Sequence, residues 1–326
     1  MTDRPTSVTT VATRLAGVAR VGARASVVRR VAVALCLFLI IAVVGVLGGV
    51  GWIGSERAIH PKQPTYAWSL AGYPALKAVV QQASFRSSTG IRMAGRFFPG
   101  RSRATIILSE GYGDTQDEMV PWANLLHGAG YSVLTYDMRD RGHSGGSAVT
   151  LGALEQRDLV SAVSYVVARR DVDKRRIGAL GLSLGGATTI LAAARDRRIR
   201  AVVDDCGFSD APGVIAASFT HFIGLPAFPF APITVKIAEW RAGVDINAVR
   251  PMDVIGKISP RPVLIIHGLA DPLVPPSNSV RNYAAARQPK EKWWVPRAGH
   301  TQSRAVAGAA YTQHVVAFFR RYLGVS

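Results

Sequence analysis

From residue 104 onward, short β-rich apolar runs alternate with longer amphipathic ones, and this alternation restricts the fold more than any other feature. The runs "ATIILSEG" (104–111), "YSVLTYDM" (131–138), "RIGALGL" (176–182), "RAVVDDC" (200–206), "RPVLIIHG" (261–268) and "KWWVP" (292–296) read as strands. Segments 115–129, 151–170, 185–196 and 305–322 read as helices; in 151–170, Leu154, Leu159, Val163 and Val166 share one side. Strands joined through helices pair in parallel, so an α/β fold is expected, with a mostly parallel sheet and helices on both faces. Ahead of it, residues 78–100 alternate about "STG" as a β-hairpin does.

Two segments break the rhythm. Val31–Ser55 carries no charged residue. At about 1.5 Å per residue it is long enough for the roughly 30 Å core of a bilayer. A cleaved signal peptide is the rival reading, but its apolar region would be only about 7–15 residues followed by a small-x-small site. "GWIGSERAIH" after the run shows no convincing site, and Trp52 suits a membrane interface. The expected organisation is a basic cytoplasmic tail (1–30), a transmembrane anchor (31–55), a proline-containing linker (56–77) and a catalytic domain (78–326). Arg20, Arg24, Arg29 and Arg30 just before the span keep the N-terminus in the cytoplasm and put the domain on the extracytoplasmic side. The second exception, about 207–256, is aromatic- and proline-rich ("FTHFIGLPAFPFAPITVKIAEW") and too long for a simple connection. It reads as a lid over an apolar pocket, or else as one more helix with an irregular approach.

The net charge of +18 includes six arginines against one aspartate in residues 1–30, and is dense again in "ARRDVDKRR" and "ARDRRIR". A basic face for nucleic acid is disfavoured, because neither interleaved aromatics nor a nucleic-acid motif accompanies it. Arg-rich solvated loops, beside anionic lipid, are the simpler reading. Cys36 falls inside the apolar run, so it and Cys206 form neither a disulfide framework nor a metal cluster.

The stretch "GLSLGG" (181–186) places Ser183 between a strand and a helix in a G-x-S-x-G pattern. Glycines are needed where such a sharp turn leaves no room for side chains. The hydroxyl then projects at the carboxyl edge of the sheet, beside a helix N-terminus. A serine nucleophile needs a base. Of histidines 60, 127, 143, 221, 267, 300 and 314, His300 follows the last strand at the same edge, whereas His267 ends a strand and reads as structural. Asp271, after the penultimate strand, is the expected carboxylate; Asp204 and Asp205 are alternatives, and Asp271 has a rival reading as a turn cap. The order Ser183, Asp271, His300 is that of α/β-hydrolases. The backbone N–H groups of Leu184 and Tyr112, the latter in "LSEGYGDT", are the expected oxyanion donors.

With these residues the chain resembles the α/β-hydrolase superfamily over roughly residues 78–322, particularly its serine-aminopeptidase-like and membrane-anchored hydrolase-domain branches. "YDMRDRGHSGG" (136–146) is similar to the family's D-x-R-G-x-G-x-S loop, and "HGLADPLVP" (267–275) to its H-G-x-x-D-x-x-V-P. Two departures stand out: Glu110-Gly111 replaces the family's His-Gly before the oxyanion residue, and Asp140 is extra. A carboxylate beside an oxyanion is unfavourable unless it points away or pairs with an arginine. The resemblance implies a serine hydrolase acting through an acyl-enzyme without metal or organic cofactor. The anchor and apolar insertion point to a small-molecule or lipid-like acyl ester. A peptidase and a catalytically silent binding module are the rival readings.

Overall fold

The computed structural model describes residues 8–64 and 70–325, with side chains from residue 27. The first seven residues of the basic tail, the side chains of Arg14, Arg20 and Arg24, and residues 65–69 of the linker lie outside the described residues. Contacts divide the chain after Val50.

The first unit is the greater part of a single helix, α1 (Val8–Ile59). From Val27 it is apolar and long enough to cross a membrane. Its side chains at Leu35, Phe38, Leu39 and Ile41 are all exposed.

The second unit begins with the last turns of α1 and continues through α2 (Pro74–Val79) into an eight-stranded sheet. In chain order its elements are β1 (Gln81–Arg86), β2 (Arg92–Phe98), β3 (Thr105–Ser109), α3 (Val120–Gly128), β4 (Ser132–Tyr136), α4 (Glu155–Ala168), β5 (Ile177–Leu182), α5 (Leu184–Arg195) and β6 (Ile199–Asp205). There follow α6 (Ala211–Ile223), α7 (Ala227–Ala242), α8 (Pro251–Val254), β7 (Val263–Gly268), α9 (Ser277–Ala285), β8 (Lys290–Val295), α10 (Ser303–Ala307) and α11 (Ala309–Leu323).

The sheet order is β1-β2-β4-β3-β5-β6-β7-β8. β1 and β2 form the expected antiparallel hairpin and β2 pairs antiparallel with β4; from β4 to β8 every pairing is parallel. Side-chain alternation along these strands builds two cores. Ile107, Ala179, Val202 and Ile265 pack with α4 and α5 on one face. Ile106, Leu108, Leu182, Val203 and Leu264 pack with α3 and α11 on the other. This is the mostly parallel α/β sheet that the strand–helix alternation implies, in the α/β-hydrolase arrangement that the resemblance implies.

Two elements depart from the reading by pattern. The last helix is not continuous over 305–322: Gly308, at φ 53°, separates α10 from α11. The insertion after β6 holds two long helices, α6 and α7, meeting at a 107° bend. Asp210 caps α6 by accepting from the Gly213 N–H, and Gly224, at φ 78°, ends it. Phe228, which precedes Pro229, stays extended at the start of α7.

Within the second unit the end of α1 packs on α7. A Cβ on Gly51 would lie 2.7 Å from Ile233 Cγ2, and one on Gly54 would lie 2.7 Å from Thr234 Oγ1. Only glycine allows so close an approach of the two helices.

Candidate active site

Ser183 sits at the junction of β5 and α5 with φ 52° and ψ −113°, a strained backbone for a residue with a side chain. Backbone contacts on both sides hold this turn. The Ser183 N–H donates to Asp205 O at 2.9 Å. A Cβ on Gly181 would lie 2.1 Å from the Gly185 carbonyl, and one on Gly185 would lie 2.2 Å from Ser109 O. Both glycines of the motif are thus required by backbone packed against backbone.

The loops after β7 and β8 bring the other two candidates to this point. His300 Nε2 is 2.9 Å from Ser183 Oγ, and His300 Nδ1 is 2.7 Å from Asp271 Oδ2. An ionised carboxylate only accepts, so Nδ1 carries the hydrogen and Nε2 is left to accept from the serine hydroxyl. Asp271 Oδ1 accepts from the N–H groups of Leu273 and Val274, both at 2.9 Å, and the carboxylate is fully buried. The two backbone donors hold the carboxylate in place, so the turn-capping role and the contact to His300 coexist in one side chain.

Asp204 and Asp205 make their bonds elsewhere. Asp204 accepts from the Gly207 N–H at 2.9 Å, and burial pushes its carboxyl up to about 7. Asp205 accepts from Tyr311 Oη at 2.8 Å, and burial raises it to about 6. His267 is buried between Ser279 Oγ and Val274 O, and burial lowers its pKa. Neutral and doubly bonded, it ties β7 to the following loop.

The loop expected to supply the second oxyanion donor lies beside the serine turn, Ser109 O and Glu110 O both approaching Gly185. Leu184 opens α5, so its N–H precedes the helical ladder. The Tyr112 N–H likewise has no partner among the described residues. Glu110 makes its bond elsewhere. It is buried, and its Oε1 accepts from the Met138 N–H at 2.9 Å. Burial, reinforced by Asp137, holds its carboxyl well above the usual carboxylate range. Glu118 accepts from the Gly111 N–H at 2.7 Å and is pushed up to about 8 by burial, with Asp114 adding to the effect. Burial thus favours the neutral form of both carboxyls and disfavours charge beside the loop. Among the described residues, no arginine bonds to either carboxyl.

Several contacts had no sequence signal beyond the loop motif. Arg141 donates to Gly113 O (2.7 Å) and Asp114 O (3.1 Å), and also to Pro61 O (2.6 Å) and Lys62 O (3.1 Å). Tyr112 Oη donates to Arg57 O at 2.8 Å and Ala58 O at 3.1 Å. Asp140, the extra residue, lies 3.1 Å from His60 Nδ1. Residues 57–62, which read as linker, are therefore bolted onto the candidate oxyanion loop. A pattern that looks for side-chain periodicity cannot reveal bonds to backbone carbonyls.

Among the described residues, Cys206, Asp271 and His300 bring metal-type ligand atoms within 4.8 Å of one another. Asp271 and His300 are already bonded to each other, and burial keeps the Cys206 thiol protonated, with its pKa well above the usual thiol value. A neutral thiol is a poor ligand. The group fits a proton relay better than a metal centre.

Residues 121–326 match the prolyl oligopeptidase family, Peptidase_S9. YfhR of Salmonella typhi is 30% identical over 245 residues, covering 70% of this chain and 77% of its own. YqkD of Bacillus subtilis is 30% identical over 216 residues, 66% and 70% of the two chains. Among solved structures, the Pyrococcus furiosus esterase Pf2001 superposes with a TM-score of 0.67 at 22% identity, over 81% of this chain and all of that one. The α/β-hydrolase GrgF of Penicillium sp. sh18 gives 0.63 at 20%, over 76% and 99%. The chain belongs to the prolyl oligopeptidase family and is a hydrolase of the α/β-hydrolase fold.

Proposed function

We propose that this hydrolase is a membrane-anchored serine esterase whose nucleophile, base and carboxylate are Ser183, His300 and Asp271. The reading rests above all on the bonded series Ser183 Oγ, His300 Nε2, His300 Nδ1, Asp271 Oδ2, at 2.9 and 2.7 Å. Ser183 Oγ attacks the ester carbonyl carbon while its proton passes to His300 Nε2. The imidazolium so formed is stabilised by Asp271. The Tyr112 and Leu184 N–H groups hold the oxygen that becomes negative. His300 then gives its proton to the departing alkoxide, leaving an acyl group on Ser183. Water, deprotonated by the same histidine, releases the acid. The likeness to the Pyrococcus esterase supports an ester as the substrate class. The family's peptidase members support a second reading, amide cleavage.

A fluorophosphonate probe is expected to label the full-length protein, and Ser183→Ala to abolish labelling with a loss of roughly 10⁴-fold or more in ester turnover. Equal labelling of the variant would sink the assignment. Nitrophenyl esters of graded chain length, set beside aminoacyl anilides, separate esterase from peptidase. Val31–Ser55 as an uncleaved anchor, with the domain outside the cytoplasm, is checked by protease treatment of intact cells; a fully protected domain contradicts that orientation.

A further inference from the structure

The stretch from Ala211 to Val235 contains no lysine, arginine, aspartate or glutamate, in a chain that holds 39 basic and 21 acidic residues. It forms α6, the bend and most of α7, and it is poorly buried. On α6 only Ala211, Val214 and Phe219 are buried. Phe222 is exposed and Phe228, on the far side of the bend, is 82% exposed. Near the end of α7, Trp240 is 75% exposed. Apolar side chains of this size grouped about one hairpin call for a partner.

The hairpin's neighbours indicate which partner. Along α7 it meets the last turns of α1, the residues covalently continuous with the 31–50 apolar run. Trp52 and Trp240 lie ring to ring at 6.5 Å, and the Arg241 guanidinium sits 4.5 Å over the Trp52 ring while pairing with Glu56. Tryptophan beside arginine is the composition of a membrane interface, where ring and aliphatic stem sit in the apolar layer and the polar ends reach headgroups. The other end of the hairpin reaches the candidate site. Phe222 packs edge-on against Tyr112 at 5.9 Å, and Tyr112 is itself bonded to the Arg57 and Ala58 carbonyls at the end of α1. Hairpin, loop and the last turns of α1 are thus linked by direct contacts within the second unit.

We propose that the α6–α7 hairpin is a second membrane contact, its bend with Phe222 and Phe228 seated in the interfacial layer of the bilayer that the anchor enters. The proposal rests on the reading of Val31–Ser55 as an anchor. Its consequence is that the side of the candidate site next to Phe222 and Tyr112 faces lipid, so that an acyl ester reaches Ser183 from the membrane rather than from water. The absence of charge from 211 to 235 then has a physical reason: a lysine or aspartate at the bend would have to be desolvated.

The full-length protein, with Cys36→Ser removing the exposed native thiol, is labelled with an environment-sensitive fluorophore at Phe228→Cys, Leu39→Cys or Lys174→Cys. Each is reconstituted in vesicles of equal phosphatidylcholine and phosphatidylglycerol. All three positions are exposed, so the substitutions leave the core untouched. Lipid carrying a nitroxide on its acyl chain is expected to quench most of the emission at positions 39 and 228 and none at 174, while aqueous iodide does the reverse. Quenching at 39 with iodide access at 228 overturns the lid contact and leaves the anchor standing. Quenching at 39 with neither quencher reaching 228 means that protein, such as a second copy of the chain, covers the bend, and overturns it too. No quenching at 39 overturns the anchor and the proposal built on it.

Discussion

The serine turn and the loop that faces it are held by different kinds of contact. At the turn, main chain packs on main chain: the Gly181 and Gly185 backbones touch each other and Ser109, and Asp205 O takes the Ser183 N–H. The facing loop, Glu110–Thr115, is held by side chains bonding to backbone: Glu118 to the Gly111 N–H, Arg141 to Gly113 O and Asp114 O, and Tyr112 to the end of α1. The first arrangement tolerates almost no change in residue size. The second can loosen by degrees, and it depends on chain far away in sequence.

Gly185→Ala tests the rigid half and has the largest expected effect. Its methyl would need the space of Ser109 O, so folding stability falls by at least about 3 kcal/mol and ester turnover is lost; thermal unfolding and a turnover assay read both. A variant with normal melting and activity would show that the turn adapts. Arg141→Lys tests the adaptable half. One ammonium cannot reach four carbonyls on two segments, so the loop shifts while the serine turn stays. Loss of up to about 100-fold in kcat is expected, with probe labelling of Ser183 slowed but not abolished. An unchanged kcat would separate the 57–62 segment from the reaction.

The smallest effect is on the pH dependence of stability. Glu118 has a folded pKa of about 8, above its ordinary 4.5, so the folded chain keeps a proton that the unfolded chain has released. Its contribution is full below about pH 4.5 and is lost as pH rises through about 8. Glu118→Gln keeps an acceptor for the Gly111 N–H and removes the titration. Urea midpoints measured across this window should decline less steeply in the variant, though not become flat, since the raised Glu110 acts in the same direction. An identical slope would mean that the Glu118 carboxyl is ionised in the fold.

The same contrast explains what could be read in advance. The strands, the hairpin about "STG" and the order of Ser183, Asp271 and His300 follow from period and punctuation, which each residue carries locally. The glycines beside Ser183 announce their turn because only glycine fits there. By contrast, His60 looked like linker and Asp140 like a minor insertion, yet they meet at 3.1 Å across 80 positions. Glu110 looked like a misplaced charge, and became intelligible only as a buried acid bonded to Met138.

By itself the sequence determined the α/β architecture, the long apolar helix and the identities of the residues that meet at the sheet edge, because hydrophobic period and turn chemistry are local. Only the tertiary structure decided that the chain leaving the apolar helix braces the candidate oxyanion loop, that Glu110 is buried and bonded to Met138, and that the uncharged α6–α7 hairpin lies against that same chain. Those arrangements depend on bonds to backbone carbonyls and on close helix contact at Gly51 and Gly54, and neither leaves a periodic trace in the residues involved.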